Sequence, residues 1–368
     1  MKIDLAGINT EQFRIKKFII AGETCFLVNP YKTMFDWDTD NLIFRSSVWN
    51  ADGEPVSLSY KKFFNLNEKP ALTPSITDDP VLILAEKIDG STLIVSRYRG
   101  QTIIRTRRTV DARQTDNGYE IDIFQKKYSE FFRYIDTHLT SNFSYIFEWV
   151  SPNNRIIMKY PESKLYLTGI IDHSNYSLLQ QEYLNETATK YGFERPNTFQ
   201  IDSQNLDAQV SSIQKQTDIE GMCIYFNRGQ DIRKCKTLRY LKLHALKGDL
   251  SLKRILQLLI QLQIRDEESF IQFIEKEYDY ECASAIREIG RTNKLFEKIK
   301  QIESEFDEIM NWVKNQKDLE QKSFAQMVRS CYNQSYQHKL CFFYRKGSGI
   351  EKIFNQKILE LADTSSKS

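Results

Sequence analysis

From Val81 to Thr106 the chain reads VLILAEKIDGSTLIVSRYRGQTIIRT. Three runs, Val81–Glu86, Ser91–Tyr98 and Gln101–Thr106, are rich in β-branched residues, which pack better on a pleated surface than along a helix. Asp89-Gly90 separates the first two runs and Gly100 the last two, so the stretch predicts antiparallel strands joined by tight turns. Lys87 closes the first run directly before the Asp-Gly turn, where the flanking strands would hold its amine still. By itself a Lys-x-Asp-Gly sequence also fits an ordinary hairpin with a solvated lysine.

Further β-rich runs occur at Asn41–Trp49, Tyr145–Val150, Arg155–Tyr160, Lys164–Ile171 and Met222–Phe226, with helical patterns at Ile121–Leu139 and Tyr176–Tyr191. This mixture predicts an α+β domain of antiparallel sheets over residues 1–243. All eight prolines lie between Pro30 and Pro196, and none follows. Proline breaks helices, so its absence favours continuous helix. Leu252, Ile255, Leu256 and Leu259 share a face, and Ile299, Ile302, Phe306, Ile309 and Val313 step by threes and fours. Residues 244–363 are therefore expected to form an all-α C-terminal domain, reached through a linker near His244–Gly248 and followed by a disordered tail at 364–368. There is no internal repeat.

The 368 residues suffice for two domains, and a composition 41% hydrophobic and 27% charged excludes a wholly disordered chain. The formal charge is only +2, so a nucleic-acid binder of this composition must concentrate its positive charge locally. The six cysteines include no Cys-x-x-Cys pair, and the four histidines show no zinc-ligand spacing. Reduced thiols, no signal-peptide core at the N-terminus and no long apolar stretch predict a soluble, cytoplasmic protein with no membrane partner.

Positive charge is indeed clustered. Lys87, Arg97, Arg99, Arg105, Arg107, Arg108 and Arg113 face only Asp89 and Asp111 in their stretch; Arg228, Arg233, Lys234, Lys236, Arg239, Lys242 and Lys247 face only Asp231. On a strand, Lys234 and Lys236 would point to one face. A solvated strand face would explain one such cluster, whereas two flanking a Lys-x-Asp-Gly turn suit a triphosphate and an RNA backbone. Glu148 lies in an otherwise apolar strand, where a carboxylate is costly unless paired.

In chain order, Phe44-Arg45, Lys62-Phe63-Phe64-Asn65-Leu66-Asn67, Lys87-Ile88-Asp89-Gly90, Phe147-Glu148-Trp149-Val150, Asn154-Arg155-Ile156, Glu220-Gly221, and Lys234-Cys235-Lys236 with Tyr240 and His244 form an ordered set. With this set the sequence resembles the RNA ligase 1 family, whose type member comes from T-even bacteriophages, within the covalent nucleotidyltransferase superfamily. The resemblance implies a nucleotidyltransferase (ATP-grasp-like) domain and an ATP-dependent RNA ligase using Mg²⁺ or Mn²⁺. It implies that Lys87 is the nucleophile, that Arg45 and Lys62 hold phosphate oxygens, and that Lys234, Lys236 and Arg107 act on the reacting phosphates. It implies further that Glu148 binds the ribose, that Glu220 helps bind the metal, that Asp89 and Gly90 shape the turn, and that Phe64 and Tyr240 lie beside the nucleotide. Tyr31 would be a base-stacking tyrosine, and Glu267 a second metal ligand, although a charge cluster at a helix N-terminus is the usual explanation of such a residue.

The chain departs from the family pattern in places. Ser46 follows Arg45 where the family usually has glycine, Arg107 stands where the type member has lysine, and Leu58-Ser59-Tyr60-Lys61 replaces a frequent Arg-Pro pair. DNA ligases and capping enzymes share the lysine turn but usually continue into a small β-barrel, unlike the helical stretch expected here. A catalytically inactive RNA-binding module on the same fold is a further alternative. By resemblance the partners are RNA, in particular nicked tRNA, together with ATP, in functional pairing with a polynucleotide kinase/phosphatase, in the cytoplasm of the host cell if the chain is phage-encoded.

Overall fold

The computed structural model describes residues 1–31, 36–66, 68, 72, 75–248, 250–277 and 280–364. Two units emerge, Met1–Leu241 and Lys242–Ser368. In chain order the strands are β1 (Phe13–Ile20), β2 (Glu23–Pro30), β3 (Ser47–Asn50), β4 (Pro55–Ser57), β5 (Phe64–Asn65), β6 (Val81–Glu86) and β7 (Ser91–Tyr98). They continue as β8 (Gln101–Thr106), β9 (Phe143–Val150), β10 (Lys164–Asp172), β11 (Ser177–Leu178), β12 (Thr198–Asp202), β13 (Gly221–Phe226) and β14 (Asp231–Lys236). The helices of this unit are α1 (Glu120–Lys127), α2 (Ser129–Asp136), α3 (Gln181–Tyr191) and α4 (Leu206–Lys215).

The strands form three sheets, ordered β1-β2-β3-β4, β11-β10-β9-β7-β8 and β12-β6-β13-β14-β5. Pairing between these strands is antiparallel, as expected, except for the short edge strand β5, which runs parallel to β14. The turn between β7 and β8 falls on Arg99 and Gly100, both with positive φ, the backbone that a two-residue hairpin needs to follow the strand twist.

Side chains alternate across each strand, and the alternation sorts the core. Leu82, Leu84, Met222, Ile224 and Cys235 pack outward with Leu206 and Ile213 of α4. On the opposite face, Ala85, Tyr225 and Ile232 meet Ile94 and Ile146 of the second sheet. Leu93, Val95, Tyr145, Phe147 and Trp149 turn to the far side of that sheet, against α1, α2 and α3.

Several expected elements differ. Asn41–Trp49 begins with a helical turn at Leu42–Phe44, and only Ser47–Asn50 is strand. Arg155–Tyr160 forms no strand: the amides of Ile157 and Met158 donate to the Asp89 carboxylate instead of to a neighbouring strand. The helix expected at Ile121–Leu139 is two, broken at Tyr128, and that expected from Tyr176 starts at Gln181 because Ser177–Leu178 pairs with β10.

Helix α5 (Leu238–Gly248) occupies the stretch expected to be a linker. The second unit continues with α6 (Leu252–Leu262), α7 (Glu267–Glu277), α8 (Tyr280–Thr292), α9 (Leu295–Lys314), α10 (Gln321–Cys331), α11 (Ser335–Arg345) and α12 (Ile350–Thr364). The predicted stripe Ile299, Ile302, Phe306, Ile309 and Val313 is buried along α9. Of the expected tail, Thr364 ends α12 and 365–368 lie outside the described residues. Among the described residues no helix is long and apolar enough to cross a membrane.

Phe131 is fully buried and meets the rings of Phe132, Tyr145, Phe147, Tyr191 and Phe193 at centroid distances of 5.0–5.8 Å. Phe131→Ala is expected to lower the stability of the first unit by about 3–5 kcal/mol, because a cavity remains where the ring was. Urea unfolding measures it; a loss below about 1 kcal/mol would show that the ring cluster does not hold α2 to the sheet.

Candidate active site

The alternation that buries the apolar residues also gathers polar ones. Lys87 shares the parity of Ile83 and Ala85, and Lys234 and Lys236 that of Ile232, so all three aim at the face turned toward the second sheet. From that sheet Glu148 has the parity of Ile146 and lies opposite Thr92. The result is a polar cleft where the apolar interface between two sheets ends.

Glu220, directly before β13, is 2% exposed and holds two lysines at once. Its Oε2 accepts from Lys87 Nζ at 2.9 Å, and its Oε1 lies 2.9 Å from Lys236 Nζ. The backbone on both sides is tied as well: the Lys87 amide donates to the Gly221 carbonyl at 2.8 Å, and the Thr237 amide to the Glu220 carbonyl at 2.9 Å. Burial would push the Lys87 ammonium below the ordinary lysine range. Glu220 and Glu148 outweigh this and hold it above that range.

The turn after Lys87 is built by Asp89. Its Oδ2 accepts from the Ile157 and Met158 amides at 2.7 Å each, and its Oδ1 from the Tyr240 hydroxyl at 2.7 Å. Its own amide donates to Tyr160 Oη at 3.0 Å. At Gly90 a β-carbon would stand 2.4 Å from the Trp149 carbonyl oxygen, so only glycine lets β7 and β9 close. The Gly90 amide donates to Glu148 Oε1 at 3.2 Å. Burial pushes the Glu148 carboxyl up to about 7, with Lys87 opposing that shift.

Around this core stands further positive charge. Among the described residues Arg45, Lys62 and Lys234 form no ion pair; they rest on rings, Arg45 and Lys234 on Phe63 at 5.1 and 5.4 Å and Lys62 on Phe64 at 4.9 Å. Burial, then the charges of Arg45, Lys62, Lys236 and Lys87, bring Lys234 down to about 7. Burial and Arg107 bring Arg45 down to about 9. Arg107 is exposed yet lowered in the same way, first by desolvation, with Glu148 opposing. A cluster that disfavours its own charge in this manner suits an anion that restores it.

The structure thus brings Lys87, Asp89, Gly90, Glu148, Glu220, Lys234, Lys236 and Tyr240 together, with Arg45, Lys62 and Arg107 within electrostatic reach. Phe64 is buried, beneath Lys62 and Arg233 rather than open to the cleft. Tyr31, exposed directly after β2, lies against Arg14 with 5.3 Å between guanidinium and ring centroid. Glu267 opens α7 in the second unit.

Other members of the basic clusters are spent elsewhere. Arg97 pairs with Asp136, Arg99 with Glu23 and Arg113 with Asp122, while Arg105 is fully buried. Their expected place at a phosphate surface is corrected accordingly. Tyr160, and Cys223 beside Lys87, belong to the site but carried no sequence signal beyond their strand-like surroundings. Among the described residues no three His, Cys, Asp or Glu side chains converge as a metal set. A divalent ion would fit only with Glu220 or Glu148 plus phosphate oxygens of a ligand, a common way of holding magnesium.

The family model described as RNA ligase matches residues 42–243. A protein of Thermovibrio ammonificans that bears the name "Putative RNA ligase" is 28% identical over 144 residues, 39% of this chain and 37% of that protein. The RNA ligase of Rhodothermus phage RM378 is 34% identical over 98 residues, 24% of this chain and 22% of the phage protein. The chain therefore matches little more than a third of the length of these curated relatives, or less. Among solved structures, an archaeal ATP-dependent RNA ligase is similar at TM-score 0.46 and 15% identity, over 78% of this chain and 76% of that one.

The lowered Lys234 ammonium gives a pH signature. Its ordinary value is 10.5 and its folded value about 7, so between these the unfolded chain binds the extra proton and stability rises with pH. Below about 7 the full penalty of a buried, crowded charge is present. Lys234→Met is expected to raise the unfolding midpoint near pH 6 and to lose this advantage toward pH 10. Thermal unfolding across that range checks it, and a pH-independent difference would contradict the assignment.

Proposed function

We propose, from the premise that this chain belongs to the RNA ligase family, that it is an ATP-dependent RNA ligase working through a covalent adenylate on Lys87. The observation that carries the reading is the pairing of one lysine, held at a strand end, with Arg45, Lys62 and Lys234, which form no ion pair among the described residues. A lysine so placed can attack the α-phosphorus of ATP: the P–N bond forms, the bond to pyrophosphate breaks, and the amine sheds a proton. AMP then passes from Lys87 to the 5′-phosphate of an RNA end, restoring the amine. The 3′-hydroxyl of the other end attacks the RNA-adenylate, forming the phosphodiester and releasing AMP.

In this reading Arg45, Lys62 and Arg107 grip the departing pyrophosphate, and Lys234 and Lys236 meet the charge developing on the α-phosphate. Glu148 receives the ribose hydroxyls, and Asp89 and Tyr240 keep the turn in place. Magnesium or manganese held at Glu220 would neutralise carboxylate and phosphate charge and so favour the neutral Lys87 amine. Helices α5 to α12 follow Lys236 directly, a succession that supports an RNA ligase of this type over the barrel-bearing DNA ligases and capping enzymes. The helical unit would read the shape of a nicked tRNA, in cytoplasmic tRNA repair alongside a kinase/phosphatase that prepares the ends. Glu267 would contribute a metal contact, and Tyr31 would stack on a base.

Lys87→Ala is expected to abolish both the protein adduct of about 329 Da, one AMP less water, and the sealing of 5′-phosphate RNA, since no other amine occupies the turn. Mass spectrometry after incubation with ATP and magnesium reads the first, and oligonucleotide circularisation the second. An adduct of undiminished yield in this variant would remove Lys87 from the mechanism. A chain shortened to residues 1–248 is expected to keep adenylation but to lose its preference for nicked tRNA over a linear oligonucleotide. An unchanged ratio of sealing rates would assign the helices another role.

A further inference from the structure

Arg105 lies at the inner end of β8 with no exposed surface, and among the described residues no carboxylate pairs with it. Its five N–H groups meet five neutral acceptors. Nε donates to Ser57 Oγ at 2.8 Å, one terminal nitrogen to Ser46 Oγ at 2.9 Å and the Thr106 carbonyl at 3.2 Å, and the other to the Ser46 carbonyl at 2.8 Å and the Ser57 carbonyl at 3.0 Å. A guanidinium buried without a counter-charge is expensive even when every donor is satisfied. Fold stability alone would be served as well by an apolar side chain. What the arrangement does achieve is to fix Ser46 from two sides.

Ser46 is itself unusual. Its φ of 68° lies in the left-handed region, where glycine is at ease and serine is not. The hydroxyl accounts for the serine: it accepts from Arg105 and donates to the Arg107 carbonyl at 2.9 Å, while the Ser46 amide donates to the Val28 carbonyl at 3.0 Å. Ser46 therefore joins the backbone of Arg45, its chain neighbour, to the backbone of Arg107, sixty-one residues away. These two guanidinium groups repel each other, so their proximity has to be imposed by the backbone.

We propose that Ser46 and Arg105 are positioning residues that fix Arg45 and Arg107 as a paired grip on the polyphosphate of ATP. The proposal rests on the ligase reading above and assigns the grip to the adenylation step, since pyrophosphate takes no part in the later sealing of an RNA-adenylate.

The test uses the full chain. Ser46→Gly removes the hydroxyl and relieves the backbone, so it is expected to fold, yet to raise the KM for ATP in lysyl-adenylate formation about tenfold through misplacement of the two arginines. The loss should fall on adenylation and spare the joining of pre-adenylated RNA. Placed in an Arg45→Ala/Arg107→Ala background, Ser46→Gly should add nothing further, because the groups it positions are gone. Arg105→Lys, which keeps the charge but supplies three donors, should show the same selective loss; if it fails to fold, Ser46→Gly decides. Equal losses in both steps, or an unchanged KM, would overturn the clamp. A parent protein that forms no adenylate would bring down the ligase reading and the clamp with it. A parent that does, beside a Ser46→Gly variant that matches it, brings down the clamp alone.

Discussion

The cleft depends on one buried carboxylate that answers two ammonium groups. Lys87 and Lys236 project from β6 and β14, on either side of β13, and both reach Glu220 at 2.9 Å. Without Glu220 two like charges would face each other in a poorly hydrated space, a situation that proteins normally resolve by moving apart or discharging one group. With it, three strands converge at one end, and the backbone bonds of Lys87 and Thr237 around Glu220 and Gly221 lock them there. Gly221 allows this closeness, since a β-carbon at that position would stand 2.1 Å from the Cys235 carbonyl oxygen.

The members of the basic clusters and of the cleft meet three different fates. Arg97, Arg99 and Arg113 are matched by surface acids, and Arg105 and Arg233 are drawn into the interior against carbonyl oxygens. Among the described residues Arg45, Lys62 and Lys234 form no ion pair and rest on aromatic faces, a weak counterweight beside a carboxylate. Charge density along the sequence cannot separate these groups, because what decides is whether a partner from a distant element arrives beside each cation.

That distinction marks what was legible beforehand. The β7–β8 hairpin follows from two β-branched runs around Gly100, and the stripe along α9 from a period of three to four, both of which a sequence displays directly. The common face of Lys87, Lys234 and Lys236 follows from the same alternation once the strands are placed. Arg155–Tyr160 misleads because its short apolar run Ile156-Ile157-Met158 resembles a strand, while the amides of Ile157 and Met158 are claimed by Asp89, more than sixty residues earlier. The helical turn at Leu42–Phe44 is hidden in the same way by strand-like composition. The burial of Arg105 was illegible, since no local pattern tells an arginine that five neutral acceptors will close around it.

The third sheet has a consequence for how the protein is made. Its strands come from Phe64, Val81, Thr198, Gly221 and Asp231 onward, and Lys87 is separated from Glu220 by 133 residues. The second sheet, by contrast, draws all its strands from Ser91–Leu178. During vectorial synthesis the second sheet can therefore pair while β13 and β14 are still inside the ribosome, whereas non-local pairings wait for the chain that completes them. Until then the Lys87 amine sits on a strand with neither its carboxylate nor its companion lysine. The nascent chain thus carries Lys87 without these partners, and the cleft closes only once the chain has emerged as far as Lys236.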